Sequence, residues 1–259
     1  SGADVAVAVM SGNYVQRGDV AVYSKHERAR LAVLGGADIV FELPAVFSLR
    51  SALPFAEASV FLLSAAGCDF IAFGAECDDI NVLTAAADLF LSEPGPFQNK
   101  LRENLKRGMS FAAARTSAAE DIDQKIAKIT KTPNNILAVS YIMALKRLKY
   151  DALPVITLRR GAEHDETVSH GEFASASFIR CALAAGRDMS HFMPNISRET
   201  PVSVYDFESL ILYALRTSDA GFISSVADSS DGLSERLISS RAKTLSELLN
   251  EVKTKRLAL

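Results

Sequence analysis

Cysteine is scarce in this chain: three in 259 residues, Cys68, Cys77 and Cys181. The number is odd and no two form a Cys-x-x-Cys pair, which argues for reduced, mostly buried thiols and against a disulfide framework. The four histidines, His26, His164, His170 and His191, lack metal-ligand spacing, so no metal site is assigned. No apolar run reaches the roughly 18 residues that a membrane helix needs. The opening Ser1-Gly-Ala-Asp4 has no basic n-region and does not read as a signal peptide. The expectation is a cytoplasmic protein with no membrane segment. Excess positive charge is also missing. The net charge is −3 and the pI about 5.9, whereas a general nucleic-acid binder is basic over most of its surface. Any RNA contact must therefore use a local patch. A Ser-His-Asp pattern, a Walker A loop and a dinucleotide G-x-G-x-x-G fingerprint are all absent.

What is present is an alternation of apolar strands and amphipathic helices. Residues 4–10 (DVAVAVM), 38–43 (DIVFEL) and 69–73 (DFIAF) read as buried strands. Ser24-Lys-His-Glu27 has capping-box spacing and opens a helix reaching residue 34, closed by Gly35-Gly36. A second helix covers residues 54–66. This βαβαβ rhythm predicts a parallel sheet covered on both faces. Ligands bind such sheets beyond the carboxyl ends of the strands, here residues 11–18, Glu42-Leu-Pro44 and Gly74-Ala-Glu76. The middle of the chain is helical over 79–92, 97–107, 110–119 and from Thr132 to about residue 149, with a returning strand at 153–159. Residues 161–172 read as a polar loop. From residue 189 the pattern is helical only, over 206–216, 221–227, 233–243 and 245–255. The expected fold class is α/β: a Rossmann-like parallel-sheet domain over residues 1–190, then an all-helical C-terminal domain over 191–259.

Several residues at these positions suit chemistry. Ser175 and Ser177 open a helix, where free N–H groups and hydroxyls make an anion site, and Arg180 can add a cation. Ordinary serine capping explains the same residues. Arg159-Arg-Gly161 follows a strand and suits phosphate, or is a solvated pair. Asn135 follows a capping position and can reach a ligand with its amide, or is itself a cap. Gly74 permits close approach of a base or ribose, or is a turn glycine. His164, with Asp165 and Glu166 beside it, is a loop acid or base, or plain loop polarity. Arg17, in the first loop, suits a phosphate or RNA, or is an exposed loop charge. Lys100, Arg102, Lys106, Arg107 and Arg115, with Lys253, Lys255 and Arg256, are the basic concentrations of an acidic chain. They fit an RNA backbone or a solvated helix face.

Taken in order, Val9-Met-Ser-Gly-Asn-Tyr-Val-Gln-Arg-Gly18, Ala37-Asp-Ile-Val-Phe-Glu-Leu-Pro44, Phe73-Gly-Ala-Glu76, Thr132-Pro-Asn-Asn-Ile-Leu137 and Ala174-Ser-Ala-Ser-Phe-Ile-Arg180 resemble the tRNA(Met) cytidine acetate ligase family. Gly232-Leu233, residues 245–248 and Val252-Lys-Thr-Lys-Arg256 extend the resemblance into the helical part. It implies an ATP-dependent ligase of the nucleotidyltransferase superfamily. Acetate is activated as acetyl-adenylate, and the acetyl group passes to N4 of the wobble cytidine of elongator tRNA(Met). Gly74, Asn135, Arg160 and Gly161 fall on the family's ATP-contacting positions. Ser175, Ser177 and Arg180 resemble the superfamily's second phosphate motif. Mg2+ is expected with ATP, without a dedicated ligand set.

The resemblance carries one departure. The family opens on a strand and turn bearing a His-x-Gly-His-type motif whose histidines grip the triphosphate, and residues 1–259 contain no such motif. Ser1-Gly-Ala-Asp4 matches the family's Thr-Gly-Ala-Asp lead into its second strand. The expectation is that the catalytic histidines belong to a segment preceding Ser1, so no catalytic residue is assigned here. A further loss is expected after Arg256, where the family has an aromatic, basic stretch. Two other readings stand: a small-molecule adenylyltransferase of the same superfamily, and a non-catalytic RNA-binding relative.

Overall fold

Parallel strands flanked by helices form the first part of the chain. The structure, a computed structural model, describes residues 2–159, 174–193, 197, 199–226 and 232–252. The order is β1 (Val7–Ser11), β2 (Tyr14–Val15), β3 (Asp19–Val20), α1 (Lys25–Leu34), β4 (Ile39–Leu43), α2 (Ala45–Ser48), α3 (Ala52–Ala65), β5 (Phe70–Ala75), α4 (Ile80–Ser92), α5 (Gly95–Lys106), α6 (Phe111–Glu120), α7 (Gln124–Ile129), α8 (Pro133–Leu148), β6 (Leu153–Leu158) and α9 (Ala176–Ala184). A 3-10 turn over Val204–Phe207 then leads into α10 (Glu208–Thr217), α11 (Ala220–Ser225), α12 (Leu233–Ser239) and α13 (Leu245–Val252). The polar stretch 161–172, with His164, lies outside the described residues.

The strands are parallel as expected, but they form two pairs. β1 pairs with β4, Val7 opposite Ile39, and β5 pairs with β6, Phe70 opposite Leu153. Among the described residues no ladder joins the pairs. The residues read as one loop after β1 instead contain a small antiparallel hairpin, β2–β3. Its turn closes through the Gly18 amide donating to the Val15 carbonyl, with Gly18 at φ +74°, a conformation that favours glycine.

Among the described residues, helices cover one face of the β5–β6 pair and leave the other open, where cover on both was expected. Period-2 alternation puts Ile71, Phe73 and Ala75 inward and Phe70, Ala72 and Gly74 outward. Leu153 and Val155 share the outward face, where Phe70 is 57% and Leu153 60% exposed. Against the inner face lies α8, flanked by α3 and α4. Val60, Leu83 and Val139 from these helices are fully buried in the main core. A separate smaller core joins Leu212, Ala242, Leu245, Leu248 and Val252 in the helical tail. The thiols are less buried than expected: Cys181 is exposed, and Cys68 and Cys77 are half-buried.

Local signals account for most boundaries. Ser24 caps α1, its Oγ accepting from the Glu27 amide at 3.2 Å. The capping box is only half made, because the Glu27 carboxylate turns to Arg30. The Ser24 amide goes instead to Glu199, and the Val202 amide donates to the Val22 carbonyl. The segment after α9 is thereby tied to the start of α1. Two helices the sequence reading omitted are short: α2, of four residues, and α7, capped by Asp123.

Tyr141 stacks on Phe73 with ring centroids 5.4 Å apart, and burial pushes its phenol up to about 12. Folding therefore favours the protonated phenol. Its contribution is complete below the unfolded value near 10 and is lost as pH rises through about 12. Melting temperature is expected to fall across this alkaline window, and Tyr141→Phe to fall less. Identical alkaline curves for both proteins would remove Tyr141 as a cause.

Candidate functional site

The functional candidates fall into two groups, one about the end of β1 and one about the end of β5. Beyond β1 the backbone turns at Gly12, which is buried. A Cβ on Gly12 would stand 2.3 Å from Glu42 Oε1, so alanine there must displace that carboxylate. Glu42 is already committed to Lys25, at 2.7 Å. Arg28, from the first turn of α1, donates to the carbonyls of Ser11 at 2.8 Å and Gly12 at 2.7 Å. It pins the end of β1 and brings a cation to it. Burial and, next, the charge of Arg17 lower its pKa.

Arg17 sits in the exposed β2–β3 turn and acts on a second arginine as well. Arg180, in the second turn of α9, has its pKa lowered first by burial and then by Arg17, with Asp19 and Cys181 opposing. Arg28 and Arg180 thus both lie within electrostatic range of Arg17. Like charges held together repel one another, and a bound anion relieves that repulsion. Arg180 is oriented by Ser177, its Nη2 donating to Oγ at 2.8 Å. Ser175 is 6% exposed and caps α9, accepting from the Phe178 amide at 3.0 Å. Capping and anion binding are compatible here, because one serine cap leaves other first-turn amides outside the intrahelical ladder.

At the end of β5, Gly74 pairs with Thr157 and lies on the outward face. A Cβ there would make ordinary contacts, the nearest 3.6 Å from Arg159 Cγ, so protein packing does not demand glycine. Arg159 continues the ladder through its amide to the Ala75 carbonyl and lays its side chain beside Gly74. Asn135 is 4% exposed in the first turn of α8. Its Oδ1 accepts from the amides of Glu76 and Cys77, both at 2.9 Å, which makes it a clamp on the loop after β5. Arg160 and Gly161 lie outside the described residues.

The basic stretch divides. Lys106 lies in the last turn of α5 and makes no ion pair among the described residues. Lys100 pairs with Asp121 at 3.1 Å and Arg107 with Glu103 at 2.5 Å. Such exposed pairs are worth little, so either cation can exchange its partner for a phosphate. Arg115 is different: its guanidinium lies 4.5 Å from the Phe90 ring centroid and 5.5 Å from that of Phe111. Burial lowers its pKa, and it serves packing rather than an RNA surface. Lys253, Lys255 and Arg256 lie outside the described residues. Among the described residues no three His, Cys, Asp or Glu groups converge on a metal position, and no helix is long and apolar enough to cross a membrane.

Sequence reasoning missed Arg28 and Glu76. Arg28 reads as one charge on a helix face, and the only signal was its position just after the capping serine. Glu76 was noted within Phe73-Gly-Ala-Glu76, yet nothing local announced its partners.

A parallel-stranded fold with cations and a capped helix at the strand ends is of the kind that nucleotide-binding proteins use. Comparison places it more narrowly. The profile of the HIGH nucleotidyl transferase family matches residues 1–259. A tRNA(Met) cytidine acetate ligase of Caldanaerobacter subterraneus is 36% identical over 267 residues, covering 96% of this chain and 66% of that protein. One from Thermoanaerobacter sp. strain X514 is 36% identical, covering 98% of this chain and 67% of its own length. The crystal structure of apo Thermotoga maritima TmcAL superposes with a TM-score of 0.91 at 30% identity, covering 98% of this chain and 65% of that one. The form of TmcAL bound with alpha-thio ATP gives 0.87 at 29% identity, covering 98% of this chain and 64% of that one. The chain belongs to the tRNA(Met) cytidine acetate ligase family of HIGH nucleotidyl transferases, and spans about two thirds of the length of the relatives it matches.

Proposed function

We propose that the protein is an ATP-dependent ligase that acetylates N4 of the wobble cytidine of elongator tRNA(Met) in the cytoplasm. The supporting observation is the match, over nearly all of this chain, to proteins named for that reaction. In the reaction an acetate oxygen attacks the α-phosphorus of ATP and pyrophosphate leaves. The cytidine N4 then attacks the acetyl carbon and AMP leaves, with the N4 proton lost.

The chain's own residues supply positioning and charge rather than covalent chemistry. Ser175, Ser177 and Arg180 receive phosphate at the start of α9, and Arg160 and Gly161, which follow β6 in sequence, contribute to the same ligand. Gly74 gives the nucleotide open backbone on the outward sheet face, and Asn135 offers its amide. Mg2+ would accompany ATP and neutralise phosphate charge, and among the described residues no cluster of three ligating side chains is set aside for it. Residues 1–190 form the nucleotide-binding domain and 191–259 the helical domain. Arg17, Lys100, Lys106 and Arg107, with Lys253, Lys255 and Arg256, contact the tRNA.

The deciding experiment is ATP–pyrophosphate exchange by the full-length protein with and without acetate. Exchange that depends on acetate is expected, and exchange indifferent to acetate rejects the ligase. Reversing Lys106 and Arg107 to glutamate should weaken tRNA binding several-fold at low salt. It should also flatten the log K against log[salt] line by roughly 1.5, the share of two phosphate contacts. An unchanged slope would move the RNA surface elsewhere.

A further inference from the structure

We infer that Glu76 is a positioning residue for the nucleotide, acting through Asn135. The inference rests on the nucleotide site proposed above. Glu76 immediately follows β5, and its carboxylate gathers three donors from the start of α8. Thr132 Oγ1 donates to Oε2 at 3.0 Å, the Asn135 amide donates to the same oxygen at 2.9 Å, and Asn134 Nδ2 donates to Oε1. Asn135 answers in the opposite direction, its Oδ1 accepting from the Glu76 and Cys77 amides. Two segments 59 residues apart are locked by reciprocal hydrogen bonds.

The carboxylate has two separable consequences. It satisfies first-turn donors of α8 that the intrahelical ladder cannot reach, and it places negative charge at a helix N-terminus, where the macrodipole favours it. It also holds Asn135 in place through that residue's backbone amide, while the backbone amides of Glu76 and Cys77 decide which way the Asn135 side chain faces. Both partners of Oδ1 are N–H donors, so Oδ1 must be the inner atom, and Nδ2 is left without a partner among the described residues. Nδ2 donates two hydrogen bonds, which suits an acceptor of the nucleotide such as a base nitrogen or a ribose oxygen. Glu76 also bridges to the strand that carries Gly74. One carboxylate thereby sets the spacing between Gly74 and Asn135.

Glutamine keeps the size of Glu76 but presents an NH2 to donors that need an acceptor. Glu76→Gln in the full-length protein is expected to weaken ATP binding about tenfold by calorimetry, in line with loss of a charge-assisted contact. KM for ATP should rise by a similar factor, with KM for acetate unchanged. Asn135→Ala should weaken ATP binding comparably. The double variant should then be no worse than about twofold below either single, because both act through one contact. A general loss of structure would raise both KM values and would not give this non-additivity. If Glu76→Gln fails to fold, Thr132→Val, which removes one donor, should give a smaller loss, about threefold, with the same selectivity for ATP. ATP affinity unchanged in the variant that folds, or effects that multiply in the double, would overturn the inference while leaving the nucleotide site in place. An unaltered protein that binds no ATP would overturn both.

Discussion

Arg180→Ala is expected to lower ATP affinity by about ten- to a hundredfold while barely moving the melting temperature. Hydrogen bonds from a charged group contribute about 1.5–3 kcal/mol, which corresponds to that range. Ser177 holds the guanidinium in one orientation, and the start of α9 supplies backbone donors beside it. Burial and the neighbouring charge of Arg17 both disfavour the Arg180 cation in the free protein. An arriving phosphate reverses that penalty, whereas nothing in the fold depends on it. Lysine should restore only part of the affinity, since it keeps the charge but loses the planar fork. Titration calorimetry with ATP on the three proteins decides the matter. Equal affinities would show that phosphate is held elsewhere.

The second large effect is on stability. Phe97→Ala should destabilise the protein by about 3–5 kcal/mol, the usual cost of emptying a buried aromatic site. Phe97 is 1% exposed, and its ring lies 5.9 Å from that of Phe90, whose face carries Arg115. Deleting the ring removes the contact that seats α5 against the core and leaves Phe90 and Arg115 beside a void. Domains are stable by only about 5–15 kcal/mol, so the loss is a large share of the whole. Urea unfolding at equilibrium should show an earlier midpoint with the slope retained. A loss below about 1 kcal/mol would mean that the site collapses without cost, contrary to how tightly such interiors pack. Phe97 and Arg180 serve different roles, so the two variants separate damage to the fold from damage to the site.

Strand and helix positions were legible where a local signal reached the whole element. The apolar runs before Pro44 and Gly74, the Ser24 cap and the Pro133 helix start all appear within a residue or two of their expected places. The hairpin of Tyr14–Val15 with Asp19–Val20 was not legible, because two-residue strands have no periodicity to read. Which strand faces the described helices cover was not legible either. Near-continuous apolar strands look the same whether one or both faces are covered, and only the neighbours decide.

The site divides in the same way. Ser175 as a cap and Gly74 at a strand end follow from short-range rules, and the motif order was enough to identify the family. Distance in sequence hid the rest. Arg115 reads as one more cation in a basic stretch until Phe90 and Phe111 close over it. Arg17 acts on Arg28 and Arg180 only because the fold brings the β2–β3 turn within electrostatic range of both. Glu76 finds Thr132, Asn134 and Asn135 only after four intervening helices have folded. Local sequence encodes propensities and caps, because those energies arise within one turn. A hydrogen bond across 59 residues exists only once the chain between has paid its loop-closure entropy, so the tertiary fold alone could make Asn135 and Glu76 a pair.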